Sequence, residues 1–363
     1  MSFESTNLMS IAKVVTGKHD ANHADDNGQY RFYTCASEFS KCNTYNFQGE
    51  CIILPGNGAN VGDAYFYDGK FDAYQRTYVV HDIDKKRIIP KFLHYNFLHN
   101  WKTIGTAQQF GSATNYIKIG NFVNYRVACP SINIQRNAIS ELDLLTEIID
   151  KQKQQLKELD TLAQSIFYDM FGNPVQNDRE WAQKRIGDLC TLKSGNSSAN
   201  NSEEGDLPYV KVGDMNIPEN NPFITTSSTF VNRDENKKNI LPIGTIVFPK
   251  RGGAIYTNKK RITAVEICCD LNIMGVIPSK AILSSYLYHY FLSIDFGKLC
   301  NGAAIPQLNN IDIAPLPIGI PPLELQEPFA KKIQAIESQK ESINRSIAES
   351  QKLFDYTMDK YFG

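Results

Sequence analysis

No run of apolar residues in this sequence approaches the length of a membrane span, so a transmembrane reading is excluded at the outset. The opening "MSFESTNLMSIAKVV" has no basic segment followed by an apolar one, and a secretory leader is not expected. The eight cysteines include no C-x2-C pair of the zinc type: Cys35, Cys42 and Cys51 are separated by six and eight residues, and Cys268 and Cys269 are adjacent. Such cysteines are expected to be reduced and buried, which suits a cytoplasmic location and predicts no metal. The glycine-rich "PGNGANVG" (55–62) is not followed by G-K-[ST], so it is expected to be a hairpin turn and not a phosphate loop. "ENNPF" (219–223) approaches the [DN]-P-P-[FY] motif of adenine methyltransferases but lacks the second proline and a preceding cofactor loop; a turn is expected. His81, His94 and His99 lie near Asp82 and Asp84 without nucleophile or metal-triad spacing. Nothing in the sequence therefore marks a catalytic centre.

What is present is a globular composition: 363 residues, 42% hydrophobic and 21% charged, enough for two cores. The net charge of −1 conceals a segregation. Residues 1–130 and 181–320 each carry two more basic than acidic residues, whereas 131–180 and 321–363 together carry five more acidic ones. An anionic partner would meet the two basic blocks.

The chain repeats itself. "LAQSIFYDMFG" (162–172) returns as "LFDYTMDKYFG" (353–363). "FESTNLMSIAKVVTG" (3–17) lies against "WAQKRIGDLCTLKSG" (181–195), placing Phe3 on Trp181, Leu8 on Ile186, Ile11 on Leu189 and Gly17 on Gly195. "GECIILPGNGA" (49–59) matches "GTIVFPKRGGA" (244–254), and "GSATNYIKIGNFVNYRVACP" (111–130) matches "GAAIPQLNNIDIAPLPIGIP" (302–321). The order is the same in both halves, as a duplication requires.

Each half opens with short β-type runs broken by Gly, Asn, Pro and Asp, and closes with one long helix. In the first helix Leu142, Leu145, Ile149, Gln152, Leu156, Leu159, Ala163, Ile166 and Met170 alternate three and four residues apart. In the second, Phe329, Ile333, Ile336, Lys340, Ile343, Ile347, Ser350, Phe354, Thr357 and Tyr361 do the same. These are heptad seams. Both helices are expected to run without an internal Gly or Pro, "GNP" (172–174) closing the first and "PPLELQ" (321–326) opening the second. Two related seams in one chain predict an intramolecular antiparallel coiled coil with a pseudo-twofold axis. The competing arrangement has each helix pack on its own β-block. Phe171 and Phe362, in the repeated "FG", are expected to be packing residues. The fold class expected is α+β, with two β-rich domains joined by two long helices.

This succession of Trp181 to Gly195, Gly244 to Gly253, Gly302 to Asn309 and Leu316 to Gln326, followed by a helix ending in "FG", resembles the specificity subunits of type I restriction–modification systems. The resemblance covers essentially the whole chain. The first half departs from the pattern where Phe3 replaces the usual Trp and Asn115–Tyr116–Ile117 stands for Pro306–Gln307–Leu308. The resemblance implies target-recognition domains over 1–130 and 177–320 and helical spacers over 131–176 and 321–363. Each recognition domain would read one half of an interrupted double-stranded DNA sequence. The helices would dock two DNA adenine methyltransferase subunits and, through them, translocating endonuclease subunits. The specificity subunit would perform no chemistry and hold no cofactor; S-adenosylmethionine, ATP and magnesium would belong to its partners. The alternative class is a β-rich ligand- or glycan-binding protein with a helical spacer.

Phosphate contacts call for Lys and Arg, base edges for Arg, Asn, Gln or Asp. In the second half the expected DNA contacts are Lys250 and Arg251 in the glycine-flanked "PKRGG", Lys259, Lys260 and Arg261 across the same hairpin, and Lys211, Asp214 and Asn216 in "YVKVGDMN". In the first half they are Asn57 and Asn60 in "PGNGAN" and Gln75 and Arg76 in "YQRTY", with Lys85, Lys86 and Arg87 as a lesser set. The seam residues expected to serve the coiled coil or a partner subunit are Leu142, Leu145, Ile149, Leu156, Leu159, Ile166, Met170, Ile333, Ile336, Ile343, Ile347 and Phe354.

Overall fold

The structure, a computed structural model, describes residues 3–105, 115–197, 205–300 and 305–363, with side chains 104 and 105 left undescribed. The opening residues of one sequence match, 111–114 and 302–304, lie outside the described residues. The chain divides into two compact units, residues 1–154 with 344–363 and residues 155–343. No described helix is long and apolar enough to cross a membrane.

The first unit holds strands β1 (Ser5–Asn7), β2 (Lys13–Thr16), β3 (Tyr30–Tyr33), β4 (Ser40–Cys42), β5 (Phe47–Pro55), β6 (Tyr65–Ala73), β7 (Thr77–His81) and β8 (Arg126–Ala128). Helix α1 (Pro90–Asn100) follows β7, and the first long helix, α2 (Ile132–Phe171), begins in this unit. β1 pairs with β8, and the other six strands form a sheet in the order β2-β7-β5-β6-β3-β4. All neighbours are antiparallel except β3 and β6. Apolar residues on β5 and β7 (Ile52, Leu54, Val80) meet Phe92, Leu93 and Phe97 of α1 in one core.

The second unit holds β9 (Gln183–Arg185), β10 (Cys190–Ser194), β11 (Leu207–Val210), β12 (Phe223–Ile224), β13 (Phe230–Val231), β14 (Ile246–Pro249), β15 (Arg261–Thr263), β16 (Cys268–Cys269), β17 (Ile273–Pro278) and β18 (Pro317–Gly319). Its helices are α3 (Ser284–Leu292) and the start of α4 (Leu323–Phe362). β9 pairs with β18, and a five-stranded sheet runs β10-β17-β14-β15-β12. Again every neighbour is antiparallel except the last pair, β12 and β15. Strand for strand this is the first unit's order, with β10, β12, β14, β15 and β17 in the places of β2, β3, β5, β6 and β7. The duplication read from sequence is thus a duplication of topology. The second unit adds a three-stranded sheet, β13-β11-β16, and the first adds β4.

Gly17 and Gly195 show why the repeat keeps a glycine there. A Cβ on Gly17 would lie 1.9 Å from the Ala73 carbonyl oxygen, and one on Gly195 would lie 2.0 Å from that of Asp270. Each lets β2 or β10 leave the sheet against a neighbouring backbone. Leu8 and Ile186 are fully buried, and their N–H groups donate to Tyr125 O and Leu316 O at 2.9 Å each.

Both long helices are 40 residues. Phe171 ends α2, and Gly172 follows at φ 75°, the left-handed stop that "GNP" predicts. α4 departs from expectation: it begins at Leu323 and holds Pro328 inside. The proline falls in the second turn, where one intrahelical bond is forgone. In the first unit the helix segments meet through Gln152 to Ser346 at 2.7 Å, Glu141 to Lys360 at 3.1 Å and Glu141 to Tyr361 at 3.1 Å. In the second unit Lys340 bonds Asp160 at 2.7 Å. Advancing along α2 retreats along α4, so within each unit the segments run antiparallel.

Seam burial is graded. Leu142, Leu145, Ile149, Ile333 and Ile336 are buried, while Leu156, Leu159, Ile166, Met170, Ile343, Ile347 and Phe354 are half-buried. Each segment also packs on the β-block of its unit: the start of α2 and the end of α4 join the first core, and the end of α2 and the start of α4 join the second, so neither helix packs as a whole on one block. Phe171 packs on Tyr286 and Phe329, and Phe362 on Phe92, as packing residues should. Fully buried Phe167 and Ala138 lie off the seam, because a helix facing a sister helix and a β-block needs a wider apolar arc.

Candidate nucleic-acid interface

The strongest sequence candidate in the second unit stands where β14 ends. Pro249 is buried; Lys250 turns outward and donates from Nζ to Ser194 Oγ at 2.8 Å. Partial burial and then the Arg251 charge lower its pKa. Arg251 is exposed and pairs with Gln307 as an isolated antiparallel bridge. With the Gln307 amide oriented to satisfy both groups, its oxygen accepts from Arg251 Nη2 at 2.9 Å and Nε at 3.0 Å. Gly252 N donates to Pro306 O and Leu308 N to Lys250 O, at 2.9 and 2.8 Å. Gly252 sits at φ 74°, and added Cβ atoms on Gly252 or Gly253 would meet nothing within 4 Å. A rigid, cationic, open backbone corner results, the form that admits a phosphate or a base edge.

The first unit builds the same corner. Gly58 N donates to Asn115 O at 2.8 Å and Ile117 N to Gly56 O at 3.0 Å, and Asn57 bridges Tyr116. Asn57 thus holds the position of Arg251, and Tyr116 that of Gln307. A Cβ on Gly56 would lie 2.1 Å from Arg76 O, so the "PGNG" turn and the Gln75–Arg76 turn are brought into contact. Arg76 is exposed. Gln75 donates its side-chain amide to Asp20 and its N–H to His19 O. Asn60 Nδ2 is committed to Cys35 O at 2.8 Å, which makes it a loop staple. In the lesser set, Lys85 pairs with Glu50 at 2.6 Å and Arg87 donates to Thr6 at 2.8 Å.

β14 and β15 do form one antiparallel hairpin, with Val247 opposite Arg261. The basic run it carries is not a single exposed patch. Lys259 is half-buried and donates to Asn216 Oδ1. Arg261 turns inward to Lys260 O at 2.9 Å and Met215 O at 3.2 Å, and burial lowers its pKa. Lys260 must be corrected as an expected DNA contact. It is 1% exposed, donates to Asn258 Oδ1 at 2.6 Å and Ile294 O at 2.7 Å, and lies 4.2 Å from the Phe296 ring centroid. Burial pulls its pKa down to about 7. Phe296 and Ile294 arrive from a distant segment, which the local sequence does not disclose.

Asp214 needs the same correction. It is 4% exposed and staples its own turn, accepting from Lys211 N at 2.7 Å, Ser227 Oγ at 3.0 Å and Ser228 N at 3.1 Å. Burial alone would raise its carboxyl, but the hydrogen bonds from Ser228, Lys211 and Ser227 outweigh it and the pKa falls. Asn216 is exposed, and Lys211 Nζ donates to Thr229 Oγ1 at 3.1 Å. Asn220, in the methyltransferase-like "ENNPF", is fully buried and bonds Asp214 O and Thr226 O, a turn residue as expected. Gln307, in the repeated 302–321 segment, is the partner of Arg251 that the local sequence does not disclose.

The fold and its paired loops define a duplicated recognition scaffold, two equivalent β-blocks each presenting an equivalent glycine corner. Comparison with known proteins agrees. The profile described as the type I restriction modification DNA specificity domain matches residues 2–161 and again 178–350, and the chain belongs to this family. It is 25% identical over 380 residues to the type I restriction enzyme EcoDI specificity subunit of Escherichia coli, covering 96% of this chain and 84% of that protein. It is 23% identical to a putative type I specificity subunit of Mycoplasma pneumoniae, covering 88% and 93%. Among solved structures, the S subunit of a type I restriction–modification system from M. genitalium superposes with a TM-score of 0.62 at 14% identity, over 100% of this chain and 96% of that one. A chain from a structure of type I restriction–modification complex assembly gives 0.58 at 15%, over 99% and 97%. DNA target recognition is the role this membership assigns, and a glycan-binding reading is not favoured.

Proposed function

We propose that the two β-rich blocks, residues 1–130 and 177–320, each read one half of an interrupted double-stranded DNA sequence. The helical segments 131–176 and 321–363 form an antiparallel coiled coil that sets the spacing and docks two adenine methyltransferase subunits, through which endonuclease subunits join. The chain is non-catalytic, and S-adenosylmethionine, ATP and magnesium act in its partners. One observation carries this reading: the same sheet order occurs twice, and each copy presents the same glycine corner, with Asn57 in one and Arg251 in the other. Equal scaffolds with unequal side chains suit two different half-sites. Arg251, Lys250, Lys259, Lys211, Asn216, Asn57, Gln75 and Arg76 are the side chains proposed to face DNA.

The test is to express the chain with a partner methyltransferase and map N6-methyladenine at base resolution. Two short motifs separated by a fixed unspecified gap are expected. A single contiguous motif, or methylation by the chain alone, overturns the proposal.

A further inference from the structure

Next to the Gln75–Arg76 turn, three side chains from separate parts of the first unit converge. His19 and His23 lie in the stretch after β2, and Asp72 lies near the end of β6. One ligand atom from each falls within 4.8 Å of the others. Asp72 is fully buried, and both histidines are half-buried.

Hydrogen bonds tie the three side chains to their surroundings. Asn46 Nδ2 donates to Asp72 Oδ2 at 2.8 Å. A carboxylate only accepts, so the group facing it is the amide nitrogen. The same nitrogen lies 3.2 Å from His19 Nε2, which accepts there in the tautomer that carries its proton on Nδ1. His19 Nε2 stands 3.4 Å from Asp72 Oδ2; with a protonated ring this is an ion pair, and with the ring neutral in that tautomer it is two lone-pair atoms side by side. Such a pair gains from a cation between them.

The surroundings fit a metal site. Ala73 N donates to Asp72 Oδ1 at 2.8 Å and Thr44 Oγ1 to Oδ2 at 3.0 Å, an outer shell that orients the carboxylate. The two imidazoles are stacked, with centroids 3.8 Å apart and planes 8° apart. In this pose their ring nitrogens can point the same way. His23 Nε2 now meets Thr44 Oγ1 at 2.8 Å. To ligate, it would exchange this bond for the metal and carry its proton on Nδ1. Tetrahedral zinc places its ligand atoms roughly 3.4 Å apart, so a modest closure of the one-turn helix Ala21–His23 completes the set.

We propose that His19, His23 and Asp72 bind a zinc ion, with water in the fourth position. Two imidazoles and a carboxylate are ligands for a borderline divalent ion, and zinc favours this number in a tetrahedral site. The ion would tie the 18–23 segment to the end of β6. Gln75 N donates to His19 O at 2.9 Å, so the same clamp steadies the Gln75–Arg76 turn. The site stands on its own geometry and does not require the DNA reading.

The test uses the purified full-length chain, stripped with a chelator and titrated with zinc against a chromophoric competitor. One equivalent is expected to bind. His19→Gln and His23→Gln, both at half-exposed positions, should each weaken binding by at least about 100-fold, with the metal-free unfolding temperature of each variant measured to separate the lost ring stack and hydrogen bonds from the lost ligand. Cobalt(II) in place of zinc should give ligand-field bands without a thiolate charge-transfer band. Absence of stoichiometric zinc, equal binding by both variants, or a thiolate band that assigns the ion to cysteines would each overturn the proposal.

Discussion

The side-chain oxygen of Gln135 accepts the backbone N–H of Ile89 at 2.8 Å, joining the first turn of α2 to the entry of α1. Its amide nitrogen donates to Arg87 O at 2.9 Å and Pro130 O at 2.8 Å. In the second unit Gln326 does the same, accepting from Leu283 N at 2.8 Å and donating to Ala281 O at 3.3 Å and Pro321 O at 2.8 Å. Both glutamines are fully buried. Truncating either removes three hydrogen bonds, although Arg87 O keeps a contact from Cys129 Sγ at 3.3 Å. Gln135→Ala and Gln326→Ala should each cost about 2–4 kcal/mol, read by urea unfolding. Gln→Glu should not restore stability, since a carboxylate cannot donate to the two carbonyls. A loss below about 0.5 kcal/mol would mean that the bonds are replaced by water.

At the glycine corner, two neighbouring substitutions should separate folding from binding. Gly252 lies at φ 74°, so Gly252→Ala should destabilise by about 1–2 kcal/mol. Gly253→Ala meets open space and should leave stability near wild type. Its new methyl group would intrude on the approach to the corner and weaken DNA binding by the assembled complex. Equal binding by Gly253→Ala and wild type would remove this corner from the interface.

Arg251→Ala should weaken DNA binding. If its guanidinium meets phosphate, the slope of log affinity against log salt falls by about 0.9. If it reads a guanine edge, the loss is about 1–3 kcal/mol and confined to one base position. Affinity measured across a salt series and a set of single-base variants decides between them. No change in either would exclude Arg251 as a contact.

Buried Lys260 gives a pH signature. Its folded pKa, near 7, lies below the ordinary lysine value of about 10.4. Between these limits the unfolded chain holds a proton that the folded chain does not, so stability rises with pH through this window. Below pH 7 both states are protonated and the burial penalty is complete. Lys260→Met should flatten the rise in unfolding temperature between pH 7 and 10. A variant whose pH dependence matches wild type would show that Lys260 keeps its charge on folding.

Helix length should govern the gap between half-sites. One heptad inserted after Gln155 and another after Ser342 falls between the Gln152–Ser346 and Asp160–Lys340 contacts and preserves the seam. Each adds about 10 Å of helix, roughly three base pairs at about 3.4 Å each. The methylation map should keep both half-sites and lengthen the gap, or lose binding if the partners cannot adapt. Altered half-site bases with an unchanged gap would show that the helices are not the ruler.

The periodic and repeated parts of the sequence were legible because they report on local geometry. Leu8 and Ile186, Gly17 and Gly195, and the seams of α2 and α4 each carry a constraint that their neighbours in sequence express. The seam was less informative about depth: Leu142 is fully buried, but Leu156 and Leu159 are half-buried. Full burial would put Leu156→Ala at about 2–5 kcal/mol; half-burial lowers the expected cost below that range. Illegible features depend on distant chain. Lys260 reads as a basic turn until Ile294 and Phe296 close over it. Asp214 reads as a base contact until Ser227 and Ser228 return to its carboxylate. The extra sheet β13-β11-β16 has no counterpart in the first half, so the repeat could not announce it.

The second unit is one uninterrupted stretch of chain, residues 155–343, while the first is assembled from 1–154 and 344–363. Both junctions fall inside α2 and α4, where the backbone is regular and the side-chain pattern repeats every seven residues. A stretch bounded in this way can be exchanged as a cassette. Two matched crossovers in the helices would import a whole foreign β-block with its own loops and its own helix ends, and each junction would join one heptad seam to another. Exchange of that stretch then needs no new folding solution, only a junction in each of the two long helices.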